Sequence, residues 1–453
     1  MEKITRVEID GLFERFNYTL DFSNFDNPGL SIITAPNGYG KTTILKMIEN
    51  FAQGDFLIFF KERYKEVRFF ISNNVEVKIT KSKNDDDDAV VTISDGQNES
   101  ELTDPLGDNG FMHVVNIFEK YLPYLHRVGP KRWRDGKVGD IINLQQVLTR
   151  YQNHPALKKR WRRREEWVQK IISSLNVFSI TTNRLRNNIE SISDDENDGL
   201  MVKKIAENIK NKMREAIRDQ FEDGRKKESN FPARIMSVLS SSDYPNKEDV
   251  LNSIKKLQTL EERYSRLGLI PNTETTRQFN MHIQSSSKNG AGLLVLKTYL
   301  DDVIEKFTLL EGLAKKIDIF SSSLNSLLAF KEITTTVDEG IVVSILDGDK
   351  DDVELESLSS GEQHLLVLIG RLIFETTEES MVLIDEPEIS FHPEWQESFI
   401  GILSEIKKLN GFDVILATHS PILIGNEYWD NVIELGVQYI PNENINLSGH
   451  IYL

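Results

Sequence analysis

The segment TAPNGYGKTT, residues 34 to 43, follows the apolar run GLSII and precedes the stretch ILKMIENF. A glycine-rich turn between a strand and a helix leaves several backbone N–H groups pointing inward at a helix N-terminus, and such a nest binds phosphate oxygens. The segment matches the pattern G-x-x-x-x-G-K-[ST] except that Ala35 replaces the first glycine. It therefore predicts a phosphate-binding loop. The predicted phosphate contacts are Asn37, Gly38, Tyr39, Gly40, Lys41, Thr42 and Thr43.

Composition limits what the rest of the chain can be. The 453 residues include no cysteine, which excludes disulfides, cysteine-ligated zinc and thiol nucleophiles. A net charge of −17 argues against a surface that binds DNA everywhere, although a local basic patch remains compatible with it. The N-terminus alternates like a strand, and no apolar run reaches the roughly 18 residues of a membrane span. We expect a cytoplasmic protein without a membrane partner.

The pattern along the chain changes twice. Residues 1–130 read mostly as strands around the phosphate loop, and residues 131–332 carry long stretches with apolar positions three and four apart, which predict helices. A short strand is expected near residues 176–185, where that period breaks. Strands resume in residues 333–453. The sequence thus predicts an N-terminal lobe and a C-terminal lobe separated by a helical insertion.

Three segments near the C-terminus identify the kind of phosphate loop. SLSSGEQHLLVLIGRLIF begins at Ser357, MVLIDEPEISFHP at Met381 and VILATHSP at Val414. LSSGEQ resembles the signature motif of ABC-type ATPases, and together with the phosphate loop the segments resemble the heads of the SMC, Rad50 and overcoming-lysogenisation-defect-like ATPases. The resemblance implies an α/β fold, an ABC ATPase head with mixed sheets around a P-loop core, split by a helical, partly coiled-coil insertion.

The resemblance also implies roles for individual residues. Asp385 follows a buried strand and would help Thr42 hold Mg²⁺, often through water, while Lys41 places its charge on the β- and γ-phosphates of ATP. Glu386 would be the catalytic base, because a carboxylate there can take or orient the proton of the attacking water. His419 matches the switch histidine that contacts the γ-phosphate.

The signature segment implies a dimer. In the resembling proteins two heads pack antiparallel, and the start of the signature helix caps the γ-phosphate that the other chain holds. The loop of residues 390–392 usually meets the partner subunit, and Pro387 and Pro393 are expected to keep that loop out of a helix. The residues predicted to contact ATP in this way are Ser359, Ser360, Gly361 and Glu362.

Two parts of the nucleotide site are less defined. The glutamine that senses the γ-phosphate in related proteins aligns best with Asn183, in TTNRL. The adenine contact is expected from the first two strands, with Arg6, Phe13, Arg15 and Phe16 as candidates. A head that binds ATP without hydrolysing it is the alternative to an active ATPase.

The segment of residues 158–164, KKRWRRR, is almost wholly basic, and PKRWRD lies shortly before it. One interpretation is a nucleic-acid patch, in which Trp161 and Trp167 stack on bases. The other is a helix whose arginines pair with acidic surfaces while the tryptophans pack against their stems.

The insertion is large and no membrane domain is present, which favours the SMC and Rad50 branch over transporters. The residues after His419 are too few for a Toprim nuclease, since burying a core needs on the order of 100 residues. GLFERF, APNGYGKTTILK and IDEPEISFHPEWQ resemble the ATPases of PARIS anti-phage systems most, with those of Septu systems close behind.

The resemblance implies a homo-oligomer that controls a separate Toprim-type or HNH nuclease, with room for a phage-encoded trigger protein. Two alternatives remain open. One is a Rad50-like or SMC-like DNA-repair ATPase that acts on DNA directly, and the other is a signalling module gated by ATP without turnover.

Overall fold

The chain, seen in a computed structural model, divides into two compact units. The first unit comprises residues 1–198 and 376–453, and the second comprises residues 199–375. The structure describes residues 1–23, 29–83, 89–104, 115–116, 118–137, 139–143, 146–147, 150–151, 165–180, 201–239, 244–271, 290–346 and 352–439. The lobe boundaries expected at residues 130 and 332 stay a prediction.

A five-stranded sheet forms the centre of the first unit, and every neighbouring pair in it is parallel. Its spatial order is β11-β14-β15-β3-β16. The central strands are apolar along nearly their whole length and are buried, as expected for a parallel sheet covered on both faces. The strands are β3 (Leu30–Thr34), β11 (Val177–Ile180), β14 (Met381–Asp385), β15 (Asp413–Thr418) and β16 (Val432–Glu434).

A six-stranded antiparallel sheet shares a hydrophobic core with this parallel sheet and with helix α1 (Lys41–Gln53). Within that core the rings of Phe51 and Phe69 stack with their centroids 4.0 Å apart. Burial of such aromatic pairs is a large part of the driving force for folding. The spatial order is β2-β1-β4-β5-β6-β7. The strands are β1 (Ile4–Leu12), β2 (Phe16–Asp21), β4 (Glu66–Ile71), β5 (Glu76–Lys83), β6 (Ala89–Ser94) and β7 (Glu99–Thr103).

The other helices of the first unit flank these sheets. Helix α3 precedes β11, and helix α9 connects the loop after β14 to β15. The helices are α2 (Leu57–Lys61), α3 (Glu166–Ser174), α9 (Pro393–Asn410), α10 (Pro421–Ile424) and α11 (Leu435–Gln438).

A three-stranded antiparallel sheet carries a small core of its own in the first unit. Its strands are β8 (Leu125–Gly129), β9 (Arg132–Asp135) and β10 (Ile141–Asn143). Trp133 is fully buried in this core. Arg132 and Arg134 are exposed, because alternate side chains of a strand point to opposite faces.

The strand predicted near residues 176–185 is β11, at the edge of the parallel sheet beside β14. In the register, Val177 lies opposite Met381. Just before the two strands, Asn176 donates from Nδ2 to the hydroxyl of Ser380 over 2.9 Å. The chain therefore leaves for the second unit from β11 and returns from it to the neighbouring strand.

The second unit is mainly helical, as the sequence predicts. Helix α6 packs against both α4 and α5. A hairpin of β12 (Lys331–Thr336) and β13 (Gly340–Ile345) follows, in the region where strands are expected to resume. The helices are α4 (Met201–Leu239), α5 (Lys247–Arg266), α6 (Gly290–Thr308), α7 (Glu311–Asn325) and α8 (Ser360–Phe374).

In the part of the chain that the structure describes, no helix is both long enough and apolar enough to cross a membrane.

Candidate functional site

The phosphate loop turns from β3 into α1 through two glycines with positive φ, Gly38 at 87° and Gly40 at 88°. Few residues other than glycine adopt such angles. A Cβ on Gly40 would also lie 2.9 Å from Cδ2 of Leu12. Tyr18 donates its hydroxyl to the carbonyl oxygen of Tyr39 over 2.9 Å and fixes the loop backbone. The N-terminal N–H groups of α1 follow directly, which suits phosphate oxygens.

Lys41, the first residue of α1, is 4% exposed. Its Nζ donates to the carbonyl oxygen of Ala35 over 2.9 Å and lies 2.7 Å from Nε2 and 3.0 Å from Nδ1 of His419. Burial lowers the pKa of Lys41, whereas the carboxylates of Glu386, Asp385 and Glu388 act to raise it. The amine is therefore held away from bulk water beside three carboxylates.

Glu386 follows β14 in a left-handed conformation with φ at 47°. For a residue other than glycine this conformation costs about 1–2 kcal/mol, and such strain is concentrated at functional sites. Oε1 of Glu386 lies 2.9 Å from Nε2 of His419. Nε2 of His419 is thus within hydrogen-bonding distance of both Glu386 and Lys41, and the tautomer of the ring decides which of them it bonds. The three side chains thus form one contiguous polar group.

Asp385 is the last residue of β14 and lies beside Thr42 of the phosphate loop. Burial raises the pKa of the Asp385 carboxyl, and the hydrogen bond from Thr42 opposes that shift without cancelling it. A desolvated carboxylate next to a hydroxyl fits Mg²⁺, which takes few protein oxygens and completes its shell with water and phosphates. Asp385 and Thr42 are therefore the residues that would hold the ion.

Glu388 was not singled out by its sequence, and the structure places it at the same site. Its Oε1 accepts from the hydroxyl of Thr418 over 2.6 Å and from the backbone N–H of His419 over 2.8 Å. Its Oε2 is buried without a hydrogen-bond partner among the described residues. The only sequence signal is its position three residues after Asp385, in the same loop as Glu386.

An aromatic group borders the phosphate loop. Phe16 lies 5.2 Å from both Tyr39 and Tyr439 between ring centroids, and Nε of Arg15 donates to the hydroxyl of Tyr439 over 3.0 Å. Of the candidates for an adenine contact, the structure brings Phe13, Arg15 and Phe16 to the loop. Arg6 stacks instead on Phe70 and pairs with Glu8. No motif or spacing marked Tyr439, which joins the group from the far end of the chain.

The signature residues lie in the second unit, where Ser359 caps helix α8. The hydroxyl of Ser359 accepts from the N–H of Glu362, and the Glu362 carboxylate accepts from the N–H of Ser359 and from Nζ of Lys331. Burial raises the pKa of Glu362, but these hydrogen bonds outweigh it and the pKa is lowered. Ser360 and Gly361 open the helix, and the fixed Glu362 holds its first turn rigid.

The expectation that Pro387 and Pro393 keep the loop of residues 390–392 out of a helix is met at residues 391 and 392, which are not helical, and fails at Ser390. Ser390 ends the short 3-10 turn Pro387–Ser390, and Pro393 is the first residue of α9. Proline is well suited to the first helical position, because the N–H it lacks would have no partner there.

The basic run of residues 158–164 and Asn183 lie outside the described residues. Trp167 is described, and it packs against the core of the first unit while its Nε1 donates to Glu165 over 2.9 Å. Both interpretations of the basic run stay predictions.

The parallel sheet, the glycine turn before α1 and the acidic loop after β14 define a P-loop ATPase head of the ABC type. The chain belongs to the family described as "AAA domain, putative AbiEii toxin, Type IV TA system", whose profile matches residues 158–425, more than half of the chain.

Two further comparisons are more limited. Protein ea59 of Escherichia phage lambda is 39% identical over 67 residues, which are 15% of this chain and only 13% of that protein. The SMC head domain with an extended coiled coil from Pyrococcus furiosus, solved bound to the C-terminal domain of ScpA, covers 96% of this chain and 93% of its own at 14% identity and a TM-score of 0.37.

The SMC head domain from Thermotoga maritima is 10% identical, with a TM-score of 0.30 and coverage of 93% of this chain and 91% of its own. At these TM-scores the likeness carries no argument.

Lys41→Ala is expected to weaken ATP binding by about 100-fold, because the backbone nest alone cannot replace a buried charge that bonds to phosphate. Equilibrium binding of a fluorescent ATP analogue measures it. Lys61→Ala removes an exposed lysine from α2 and serves as the control. Unchanged affinity in Lys41→Ala would show that Lys41 is not the phosphate lysine.

Asp385→Asn should raise the melting temperature at pH 8 by roughly 2 °C, because the amide replaces a desolvated carboxylate whose pKa is raised in the folded chain. A raised carboxyl pKa destabilises the folded chain above that pKa, and the cost fades as the pH falls toward the unfolded value near 4. The gain is therefore largest at high pH. Differential scanning fluorimetry across pH 5–8 measures it, with the exposed Asp430→Asn as the control. No stabilisation at pH 8 would contradict the proposed cost.

Proposed function

We propose that this chain binds ATP with Mg²⁺ and hydrolyses it to ADP and phosphate. The observation that carries the proposal is the cluster of Lys41, His419 and Glu386 at the carboxyl ends of β3, β15 and β14, where ligands of parallel sheets bind. ATP supplies the phosphoryl group, and Mg²⁺ on Asp385 and Thr42 would neutralise its developing charge.

The residues of the site would act in sequence during ATP binding and hydrolysis. The helix N-terminus and Lys41 hold the β- and γ-phosphates, which displaces Lys41 from its contact with His419. His419 then hydrogen-bonds the γ-phosphate, while Glu386 orients the attacking water and takes its proton. The left-handed backbone at Glu386 aims its carboxylate toward His419 rather than along the strand.

We further propose that the ATPase is the sensor and scaffold subunit of an anti-phage complex and controls a separately encoded nuclease. The support is the resemblance of its motifs to the ATPases of PARIS systems and, next, of Septu systems. Head-to-head dimerisation, with Ser359 to Glu362 contacting the ATP of the partner, and a higher homo-oligomer belong to the same proposal.

Glu386→Gln should bind ATP with an affinity near that of the wild type and hydrolyse it about 100-fold or more slowly, because the amide cannot accept the water proton. Phosphate release and ATP binding are measured on the same preparations. Glu394→Gln, an exposed glutamate in α9 with 85% of its side chain accessible, is the control. Turnover at the wild-type rate would show that Glu386 is not the base.

The same variant tests whether this chain supplies the ATPase activity while a separately encoded protein supplies the nuclease activity. In cells that carry the chain with its neighbouring genes, Glu386→Gln should abolish protection against phage, and the purified chain should cut no nucleic acid in either form. Nuclease activity of the isolated chain that survives Glu386→Gln would instead favour the ATPase that acts on DNA directly.

A second candidate function, contact with nucleic acid, is favoured by the exposed face of the three-stranded sheet. Arg132 and Arg134 lie there on β9, Arg134 beside His126 and Ile141 in the register, and no ion pair is seen for either arginine among the described residues. Cations on a flat antiparallel face suit a phosphate backbone.

Exchanging Arg132 and Arg134 together for glutamate is expected to weaken DNA binding about tenfold. The slope of log affinity against log salt concentration should fall by the equivalent of about two phosphate contacts. Fluorescence anisotropy with a labelled duplex at two salt concentrations measures both effects. The control is the same charge reversal at Lys255 and Lys256, which are exposed on α5. Equal losses in the two variants would mean that only net charge matters.

A further inference from the structure

Glu388 is a carboxylate that the proposed hydrolysis does not use. It lies in the 3-10 turn after β14, two residues beyond the proposed base. Its Oε1 bridges to the next loop by accepting from the Thr418 hydroxyl over 2.6 Å and from the His419 N–H over 2.8 Å. Hydrogen bonds to an ionised acceptor are about twice as strong as neutral ones. One side chain thus fixes the backbone from which the His419 imidazole projects.

A second side chain ties the same two loops together. Oε1 of Gln396, in α9, accepts from the Ser420 hydroxyl over 2.5 Å, and its Nε2 donates to the carbonyl oxygen of Phe391 over 3.2 Å. The N–H of Ser420 in turn donates to the Thr418 hydroxyl oxygen over 2.9 Å. The loop after β14 and the loop after β15 are therefore joined on both sides of His419.

The position of the Glu388 carboxylate makes the folded chain less stable. Oε2 of Glu388 is buried and has no hydrogen-bond partner among the described residues, and leaving such a charged acceptor unsatisfied is unfavourable. Its charge also adds to those of Asp385 and Glu386 around Lys41. A neutral side chain would avoid both costs, so the bridge to Thr418 and His419 is what the carboxylate contributes.

We propose that Glu388 is the positioning residue for His419. By accepting from Thr418 and from the His419 N–H, it sets the backbone so that the imidazole lies between Glu386 and Lys41, where a γ-phosphate would meet it. The proposal rests on the ATP hydrolysis proposed above and adds a residue that acts through His419. Its role is to hold His419, which would contact the γ-phosphate, in a fixed position relative to the proposed base Glu386.

Two variants of Glu388 separate the effect of its hydrogen bonds from the effect of its charge. Glu388→Ala removes both hydrogen bonds and should lower kcat about tenfold or more while the Kd for ATP stays within about threefold. Glu388→Gln keeps an oxygen at Oε1 and places its amide where Oε2 lacks a partner, so kcat should stay within about threefold of the wild type. Glu394→Ala, in the same region and exposed, is the control and should leave both quantities unchanged.

Hydrogen exchange tests the bridge without turnover. The His419 N–H loses its acceptor in Glu388→Ala, so peptides covering residues 413–424 should exchange faster than in the wild type, in Glu388→Gln or in Glu394→Ala. Unchanged exchange in Glu388→Ala, or a wild-type kcat in a hydrolysing preparation, would overturn the positioning role.

Different results would refute the ATPase proposal and the positioning role of Glu388. A wild-type chain that binds ATP but never hydrolyses it would refute the ATPase proposal, and the exchange measurement would still decide whether Glu388 holds the His419 loop. A loss of ATP binding in Glu388→Ala that matches Lys41→Ala would show that Glu388 supports the nucleotide pocket as a whole, and the specific role would then be wrong.

Discussion

The parallel pairing of β14, β15 and β3 is the constraint on which the site depends. In parallel strands the carboxyl ends lie at one edge, and the register sets Asp385 opposite Ala417 and Thr418 opposite Thr34. Three loops that are distant in sequence consequently begin within a few ångströms of one another. Burial stabilises this pairing, because the three strands are apolar on both faces and lie in the interior of the first unit.

Several residues of the site destabilise the folded chain, and burial of the surrounding hydrophobic core compensates for that cost. Lys41 is buried, Asp385 carries a raised pKa, Glu386 adopts a left-handed backbone and Glu388 keeps a buried oxygen without a partner among the described residues. Each of these raises the free energy of the folded chain by an amount on the order of 1 kcal/mol or more. The aromatic core that includes Phe51 and Phe69 lies directly beneath and supplies the compensating burial.

The sequence predicted the parts of the site that depend on local chemistry. The glycine turn before Lys41, the apolar strand that ends at Asp385 and the strand before His419 each have a pattern within a few residues, and the structure has a turn and strands at those places. It did not predict that Glu388 bridges to Thr418 or that Tyr439 joins the aromatic group, because both contacts form between segments whose meeting is decided by the sheet. The proline expectation failed at Ser390 for a local reason, since the first turn of a helix accepts proline readily and Pro387 opens a 3-10 turn.

The edge strand β11 also has a mechanical consequence. The chain enters the second unit after β11 and re-enters the first unit at β14, the strand that ends in Asp385 and leads into Glu386. A pull on the second unit would therefore load β11 and β14 together, because the chain leaves the first unit after one strand and returns before the other. The bonds that join the two strands include the contact of Asn176 with Ser380 and the ladder that begins at Val177 and Met381. Tension on the second unit would thus reach the acidic loop through β14, the strand that carries it.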